Sequence, residues 1–343
     1  MGRKKKSKPS KPSKQSNQSK ASLLKVTKTD PDKVTLFEKV AGGICLLLFI
    51  VVWLLSASSP IVFGIAIYHE AYRLALGIVV VTALSYAPWK KGYIANSFQQ
   101  FYAYYSHRYM RKTTIVCEGS KPSPQDQQTF FAVHPHGAFC IGWSFLYCHG
   151  MMQHIRFCFS PVLFMSPFFR LFSRGVGNPG SASKDSMISY MRSGHSLALP
   201  PGGFEEATLT STKHDRVFIK KRTGFVRLCL QQGIAIRPVY VFGERSCYWN
   251  IQGAFKSRLA LNRHGIPTIF AWGNLLVPWL PNPQAEVHIV IGNPIKLPKI
   301  EKPTKEEVVI WHTKYVTELT QLFENHKQAA YGPSSKAMKL ELW

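Results

Sequence analysis

The chain has 343 residues, with 43 Lys and Arg against 18 Asp and Glu, a formal net charge of +25. That length allows one sizeable domain with an appendage or two small domains, and so large a basic excess points to a phosphate-bearing partner: nucleic acid, anionic lipid or a phosphorylated substrate. The seven cysteines (Cys45, Cys117, Cys140, Cys148, Cys158, Cys229, Cys247) contain no Cys-x-x-Cys pair, which argues against a zinc ribbon or a disulfide framework and leaves reduced thiols as the expectation.

Residues 1–39 carry 12 Lys or Arg, and the stretch KKKSKPSKPSKQSNQSK holds almost nothing apolar. Such a composition cannot bury enough surface to fold, so a disordered basic cytosolic tail is predicted here, suited to an anionic membrane surface. The same stretch has no aromatic side chain on which a base could stack, so no nucleic-acid partner is expected. The triplet Asn17-Gln18-Ser19 matches a glycosylation acceptor but falls in this tail.

Residues 40–89 form a predicted hydrophobic hairpin of two membrane segments, about 40–59 and 61–89, separated at Pro60. The first, VAGGICLLLFIVVWLLSASS, has the length of a helix crossing roughly 30 Å of hydrocarbon. The second is interrupted by His69, Glu70 and Arg73, the last two at a helical i, i+3 spacing that would let them pair. Lys33 and Lys39 before the hairpin and Lys90 and Lys91 after it place both flanks, and both termini, in the cytosol. The C-terminal region, 90–343, is then a cytosolic domain beside a membrane.

From about Thr113 apolar runs alternate with helical patterns, the signature of an α/β domain. Four runs (Thr129–Val133, Ser196–Pro200, Ile234–Phe242 and Val287–Ile291) each end at a Gly or Pro turn carrying polar groups, and ligands in α/β sheets gather at the carboxyl ends of strands. Gly224–Gly233 has helical spacing with Gly233 as its stop. Thr304 and Glu307 make a capping box before Val308, Trp311, Tyr315, Leu319 and Leu322, an apolar helix face. Six phenylalanines between Phe157 and Phe172 fit either a core or a lining for acyl chains.

The first strand runs into His134-Pro135-His136-Gly137. Residues i and i+2 of an extended chain face one side, so the two imidazoles are expected to project together, with Gly137 clearing space for a ligand. Three readings stay open: an inert hydrogen-bonded pair, a metal site borrowing distant ligands such as Glu206 or His288, and a general base, for which a pKa of about 6.5 is well placed.

The series FFAVHPHG, PFFR, PPGGFEEA, RTGFVRLCL, RPVYVFGE and GNPI, in that order over roughly Val40 to Lys327, resembles the type 2 diacylglycerol acyltransferase family, which includes monoacylglycerol and wax-alcohol acyltransferases. The resemblance implies a glycerolipid-acyltransferase-like α/β fold with an N-terminal transmembrane helical hairpin. It implies transfer of an acyl group from acyl-CoA to diacylglycerol, forming triacylglycerol, at the endoplasmic reticulum membrane or a lipid droplet. Acyl-CoA is a co-substrate, and neither cofactor nor metal is expected; a homo-oligomer is compatible with the family. A non-catalytic protein that coats lipid droplets is the rival from another class.

Carried over by position, His134, His136 and Glu206 are the catalytic group, with Glu206 orienting an imidazole. Pro135, Gly137, Arg170, Gly202, Gly203, Arg222, Gly224, Phe225 and Glu244 match the substrate-binding blocks. The Gly202-Gly203 turn would offer backbone N–H groups to an oxyanion, and Arg170, Lys220, Lys221 and Arg222 charge for coenzyme A phosphates. Glu205 does not match the acidic position. The aspartate of His-x4-Asp acyltransferases is missing, since Phe139 and Ile141 stand there, and Thr223 and Arg237 also depart from the common pattern. The chain end MKLELW resembles a short retrieval signal.

Overall fold

Strand-forming runs of β-branched and aromatic residues assemble the centre of the molecule, and a computed structural model describes residues 23–87, 93–266 and 268–343. The strands are β1 (Leu23–Lys28), β2 (Lys112–Glu118), β3 (Thr129–His134), β4 (Arg156–Phe159), β5 (Pro179–Ser181), β6 (Leu197–Leu199), β7 (Asp215–Val217), β8 (Ala235–Phe242), β9 (Trp249–Asn250), β10 (Ala271–Trp272), β11 (Glu286–Ile291) and β12 (Leu340–Leu342). The helices are α1 (Leu36–Tyr68), α2 (Tyr72–Tyr86), α3 (Tyr93–Tyr105), α4 (Ile141–Cys148), α5 (Pro161–Met165), α6 (Pro167–Val176), α7 (Lys184–Arg192), α8 (Gly203–Thr208), α9 (Gly224–Gln232), α10 (Glu244–Cys247), α11 (Phe255–Arg263) and α12 (Lys305–Tyr331).

Eight strands make one mixed sheet in the order β1-β2-β11-β8-β3-β6-β4-β5. Strands β8, β3, β6, β4 and β5 run parallel, whereas β11 is antiparallel to β8. Three of the four expected strand ends, after β3, β6 and β8, therefore converge on one edge. The fourth, after β11, emerges at the opposite edge, because its direction is reversed. Arg237 belongs to that opposite edge as well. Its guanidinium donates to the carbonyls of Gly292, Glu118 and Ser120 and holds the β2 and β11 exits together.

Side chains alternate between two cores, one on each face of the sheet. Phe131 and Val133 of β3 face the side of α1, α3, α4 and α6, while Phe130 and Ala132 face α9 and α12. Helix α12 carries its capping box between Thr304 and Glu307 and buries Val308, Tyr315, Leu319 and Leu322, as the spacing predicts. Helix α9 stops at Gly233, whose φ of +68° is left-handed.

The N-terminal region differs from the sequence expectation in three ways. Leu23–Lys28 is no free tail: it forms edge strand β1, antiparallel to β2, because the β-branched Val26 and Thr27 favour extended backbone and its lysines protect the exposed edge. Residues 29–39 are ordered too, Leu36–Lys39 forming the first turn of α1 behind a Thr35/Glu38 capping box, whereas 1–22 lie outside the described residues, as do Lys90 and Lys91. Second, α1 continues through Pro60 to Tyr68, so the first segment is longer than 40–59 and the second shrinks to α2. Third, Glu70 has φ +57° and falls in the turn between α1 and α2, outside both helices, so the expected helical pair with Arg73 does not form.

Leu36–Ser56 is long and apolar enough to cross a membrane. Yet Leu46, Phe49 and Ile50 of this helix are buried in the core on the α4 side, so α1 packs on the α/β domain. At the other end of the chain, β12 pairs parallel with β7, and Trp343 exchanges backbone hydrogen bonds with Val217, Ile219 and Lys220. The residues resembling a retrieval signal are thus held in backbone pairing.

Gly243 has φ +82°, and a Cβ there would land on the carbonyl oxygen of Glu286 in β11. Gly243→Ala should lower stability by about 1–3 kcal/mol from the backbone strain alone, read as a fall in the thermal unfolding midpoint of the purified protein.

Candidate active site

The edge where β3, β6 and β8 end places three loops side by side. The first carries His134 to Gly137. The second, Pro200 to Gly203, turns into α8 and brings Glu206 up against the first. The third is Gly243 with Glu244.

Glu206 is the hub. Its carboxylate has no exposure. Oε1 accepts the backbone N–H of His136 at 2.7 Å, and Oε2 accepts that of Phe218 at 2.8 Å. Nδ1 of His134 lies 3.0 and 3.1 Å from the two oxygens, so the ring donates there. A buried carboxylate is tolerable only with such donors. Gly202 is required beside it, since a Cβ would sit on the Glu206 carboxylate.

The two histidines do not project together. His134 is the last residue of β3 and follows the parity of Phe130 and Ala132, which takes its ring to the α12 side, 6.3 Å from that of Tyr315. It has no exposure, and its Nε2 is buried without a hydrogen-bond partner among the described residues. His136 comes after the strand has ended, where alternation no longer applies, and its half-buried ring lines a cavity of about 300 Å³ on the α1 side. Its Nδ1 lies 2.8 Å from the carbonyl of Gly137. A carbonyl only accepts, so the proton sits on Nδ1 and Nε2 keeps its lone pair. Burial is the main cause that lowers the His136 pKa below its ordinary 6.5, leaving the imidazole neutral at pH 7.

The cavity is strongly apolar. Phe159 and Phe169 from the phenylalanine-rich stretch line it with Trp143, and α1 contributes Phe49 and Trp53. The α1 residues and Cys140 escaped the sequence reading. The signal for Phe49 and Trp53 was their i, i+4 spacing, which puts both on one helix face. Cys140 has φ +53°, and its Sγ stands 3.2 and 3.3 Å from the His136 ring nitrogens. Burial pushes its thiol pKa well up.

Across Leu199 and Ala182, which border both spaces, lies a second cavity of about 490 Å³. It is basic, lined by Lys184, Lys221, Arg222 and Arg227, with Gly224 and Phe225 at the start of α9. Arg222 is held by an ion pair with Glu205 and donates to the carbonyl of Gly202 at 3.3 Å. Glu205 therefore fixes one of the basic side chains lining this cavity, a role the motif comparison does not give it.

Other expected residues act as scaffold. Glu244 accepts the N–H groups of Ile141 and Gly142 at 2.9 and 2.7 Å, capping α4, while burial pushes its pKa up to about 7. Gly137, at φ +67°, leaves room for that carboxylate, on which a Cβ would fall. Pro135 and Gly137 border a small polar cavity with Asp215 and Arg245. Phe225 packs in the core, stacked on Phe130. Arg170 is not part of either wall; its guanidinium lies over the rings of Tyr86 and Phe164, 4.2 and 4.7 Å from their centroids. In the Gly202-Gly203 turn, the N–H of Gly203 is committed to the carbonyl of Pro200 at 3.3 Å. Among the described residues no cluster of three or more His, Cys, Asp or Glu is placed to hold a metal, and His288 sits on β11, with its ring near that of Phe242.

A family model described as diacylglycerol acyltransferase matches residues 67–342. Diacylglycerol O-acyltransferase 2 of Danio rerio is 31% identical over 226 residues, covering 57% of this chain and 60% of that protein. 2-acylglycerol O-acyltransferase 3 of Homo sapiens is 31% identical over 240 residues, covering 63% and 69% respectively. Acyl-CoA wax alcohol acyltransferase 2 of Homo sapiens is 30% identical over 224 residues, covering 57% and 64%. The matched region thus spans between 60% and 69% of the length of these relatives. Among solved structures, the 1-acyl-sn-glycerophosphate acyltransferase PlsC from Thermotoga maritima aligns over 81% of this chain and 95% of that one, at 15% identity and a TM-score of 0.42.

Glu206→Gln removes the charge and offers an amide –NH2 where two backbone N–H groups and an imidazole N–H need acceptors. Stability should fall by about 3 kcal/mol, the cost of leaving buried donors unmet. Chemical denaturation of the wild-type and variant proteins in the same detergent measures it.

Proposed function

The chain belongs to the diacylglycerol acyltransferase family, and from that membership we propose that it transfers a fatty acyl group from acyl-CoA to the free hydroxyl of diacylglycerol, with His136 as general base. The observation that carries the reading is the position of the His136 ring. It lies in an apolar cavity suited to acyl chains, next to a basic cavity suited to the phosphates of coenzyme A.

In this mechanism Nε2 of His136 takes the hydroxyl proton as the oxygen attacks the thioester carbonyl. The tetrahedral oxyanion is met by backbone N–H; the amide of Gly202 serves, since that of Gly203 is engaged. Collapse breaks the carbon–sulfur bond, and the coenzyme A thiolate recovers the proton from the imidazolium. Glu206, bonded to the backbone N–H of His136, holds the base in place and favours its charged form by proximity. His134 is a positioning residue: its Nδ1–H keeps the Glu206 carboxylate aligned. Lys184, Lys221, Arg222 and Arg227 take the coenzyme A phosphates.

Similar identities to relatives named for 2-acylglycerol and for wax alcohol favour a second reading, in which monoacylglycerol or a long-chain alcohol is the acceptor. The apolar helix α1 supports embedding in the endoplasmic reticulum membrane with the α/β domain on the cytosolic side, or residence on lipid droplets.

Membranes bearing the chain, given labelled oleoyl-CoA and each acceptor in turn, should make triacylglycerol from dioleoylglycerol. An ester formed only from a fatty alcohol would move the assignment to the wax-alcohol reading. His136→Ala should lower the rate by about 10²–10⁴-fold, the range for losing a general base; unimpaired synthesis at equal protein level would remove His136 from the mechanism.

The pH profile supplies a separate check. A base with a lowered pKa stays neutral and active as pH drops to 6.5, and fails only as pH falls through its folded value. The acid limb of kcat/KM should therefore lie below pH 6.5. Replacing Lys221 by Ala should raise KM for oleoyl-CoA by about tenfold, one charge-assisted contact to phosphate, with KM for dioleoylglycerol unmoved.

A further inference from the structure

Pro60 lies inside α1, where its missing N–H would strand the carbonyl of Ser56. Ser59 Oγ donates to that carbonyl at 3.1 Å. Ser56 Oγ donates to the carbonyl of Val52 at 2.7 Å, and Thr82 Oγ1 to that of Ile78 at 2.7 Å. With these hydroxyl hydrogens turned onto the backbone, the groove between α1 and α2 is left apolar. It has a volume of about 460 Å³ and is lined by Phe63, Ile78, Val79 and Ala83, with Pro167 of α6 beside them and no charged side chain among the described residues of its wall.

The groove lies on the same face of α1 as the His136 cavity. Phe49, Trp53, Ser56, Pro60 and Phe63 recur at i, i+4, i+7, i+11 and i+14, one face of α1. Phe49 and Trp53 wall the His136 cavity, and Pro60 and Phe63 wall the groove. Helix α6 makes the same link, with Phe169 in the cavity and Pro167, two residues earlier, in the groove. From Phe49 to Phe63 the face runs about 21 Å, longer than one leaflet of a roughly 30 Å hydrocarbon core.

We propose that this face of α1 is the track on which the acceptor lipid lies, an acyl chain of a neutral glycerolipid resting in the α1–α2 groove while its glycerol end reaches His136. The proposal rests on the acyltransferase reading and adds where the acceptor is held. A phospholipid is the poorer occupant, because none of the described residues lining the groove or the His136 cavity carries a Lys or Arg charge to neutralise a phosphate.

The test uses the full chain reconstituted in phosphatidylcholine vesicles, with a diacylglycerol carrying a photoreactive diazirine on one acyl chain. The probe should label the segments bearing Phe63 and Ile78, and unlabelled dioleoylglycerol should compete. A phosphatidylcholine carrying the same diazirine should label them less; equal labelling would mean bulk lipid contact and would overturn the track. Ala83→Trp fills the groove and should raise KM for dioleoylglycerol about tenfold, what losing roughly two buried methylenes is worth, with KM for oleoyl-CoA unmoved. An unchanged KM for dioleoylglycerol in a variant with wild-type melting also overturns it. If the wild-type chain acylates no acceptor at all, the acyltransferase reading fails instead, and the labelling comparison still decides the track.

Discussion

The arrangement of the site depends on one buried carboxylate. Glu206 has no exposed side-chain surface, and it draws its three donors from two other stretches: the His134 ring and the His136 backbone at the exit of β3, and the backbone of Phe218 beyond β7. In a region without water each of those N–H groups needs an acceptor as much as the carboxylate needs them. The exit of β3, the turn after β6 and the strand-end loop after β7 are consequently fixed relative to one another. Gly202 contributes by omission, since any side chain there would displace the carboxylate. The consequence for chemistry is indirect. By holding the main chain of His136, Glu206 decides where that ring points.

The second constraint is the parity of a strand. Both histidines belong to one tetrapeptide, yet the sheet separates them, because His134 completes the alternation of β3 and His136 does not. One ring ends on the side of Tyr315 and α12, the other on the side of α1. This division assigns different work to similar side chains. His134 sits in a water-poor core and supports the carboxylate; His136 borders an open volume, with its tautomer set by the carbonyl of Gly137.

Much of this was legible in the sequence. The strands β3, β6, β8 and β11, the stop of α9 at Gly233 and the capping box and buried face of α12 all follow from spacing and from Gly and Thr chemistry. The grouping of His134, His136 and Glu206 followed from family resemblance. What escaped was long-range. The direction of β11 depends on its neighbours in the sheet, which alternation does not reveal, so one strand end was expected at the wrong edge. The separation of the histidines was in principle readable from the parity of Phe130, Ala132 and His134. It was missed because the turn was treated as part of the strand. For helix α1, hydropathy gives the length and apolarity of a membrane span but not that one face of it is covered by the α/β domain.

That last difference changes what α1 is for. Phe49 and Trp53 line the cavity of His136, so the helix that is long and apolar enough to enter a bilayer is also a wall of that cavity. In the proposed reaction the two substrates differ sharply in polarity: one end of acyl-CoA is a cluster of phosphates, while both acyl chains are hydrocarbon. A basic cavity and an apolar one, meeting at Leu199 and Ala182, separate those demands and leave the thioester near their boundary. Excluding water there has two effects. It keeps the base neutral, since burial penalises the imidazolium more than the imidazole, and it leaves the lipid hydroxyl as the nucleophile within reach of the thioester, in place of water. In the proposed reaction a cavity walled by an apolar helix such as α1 would achieve both with the same side chains that admit the lipid.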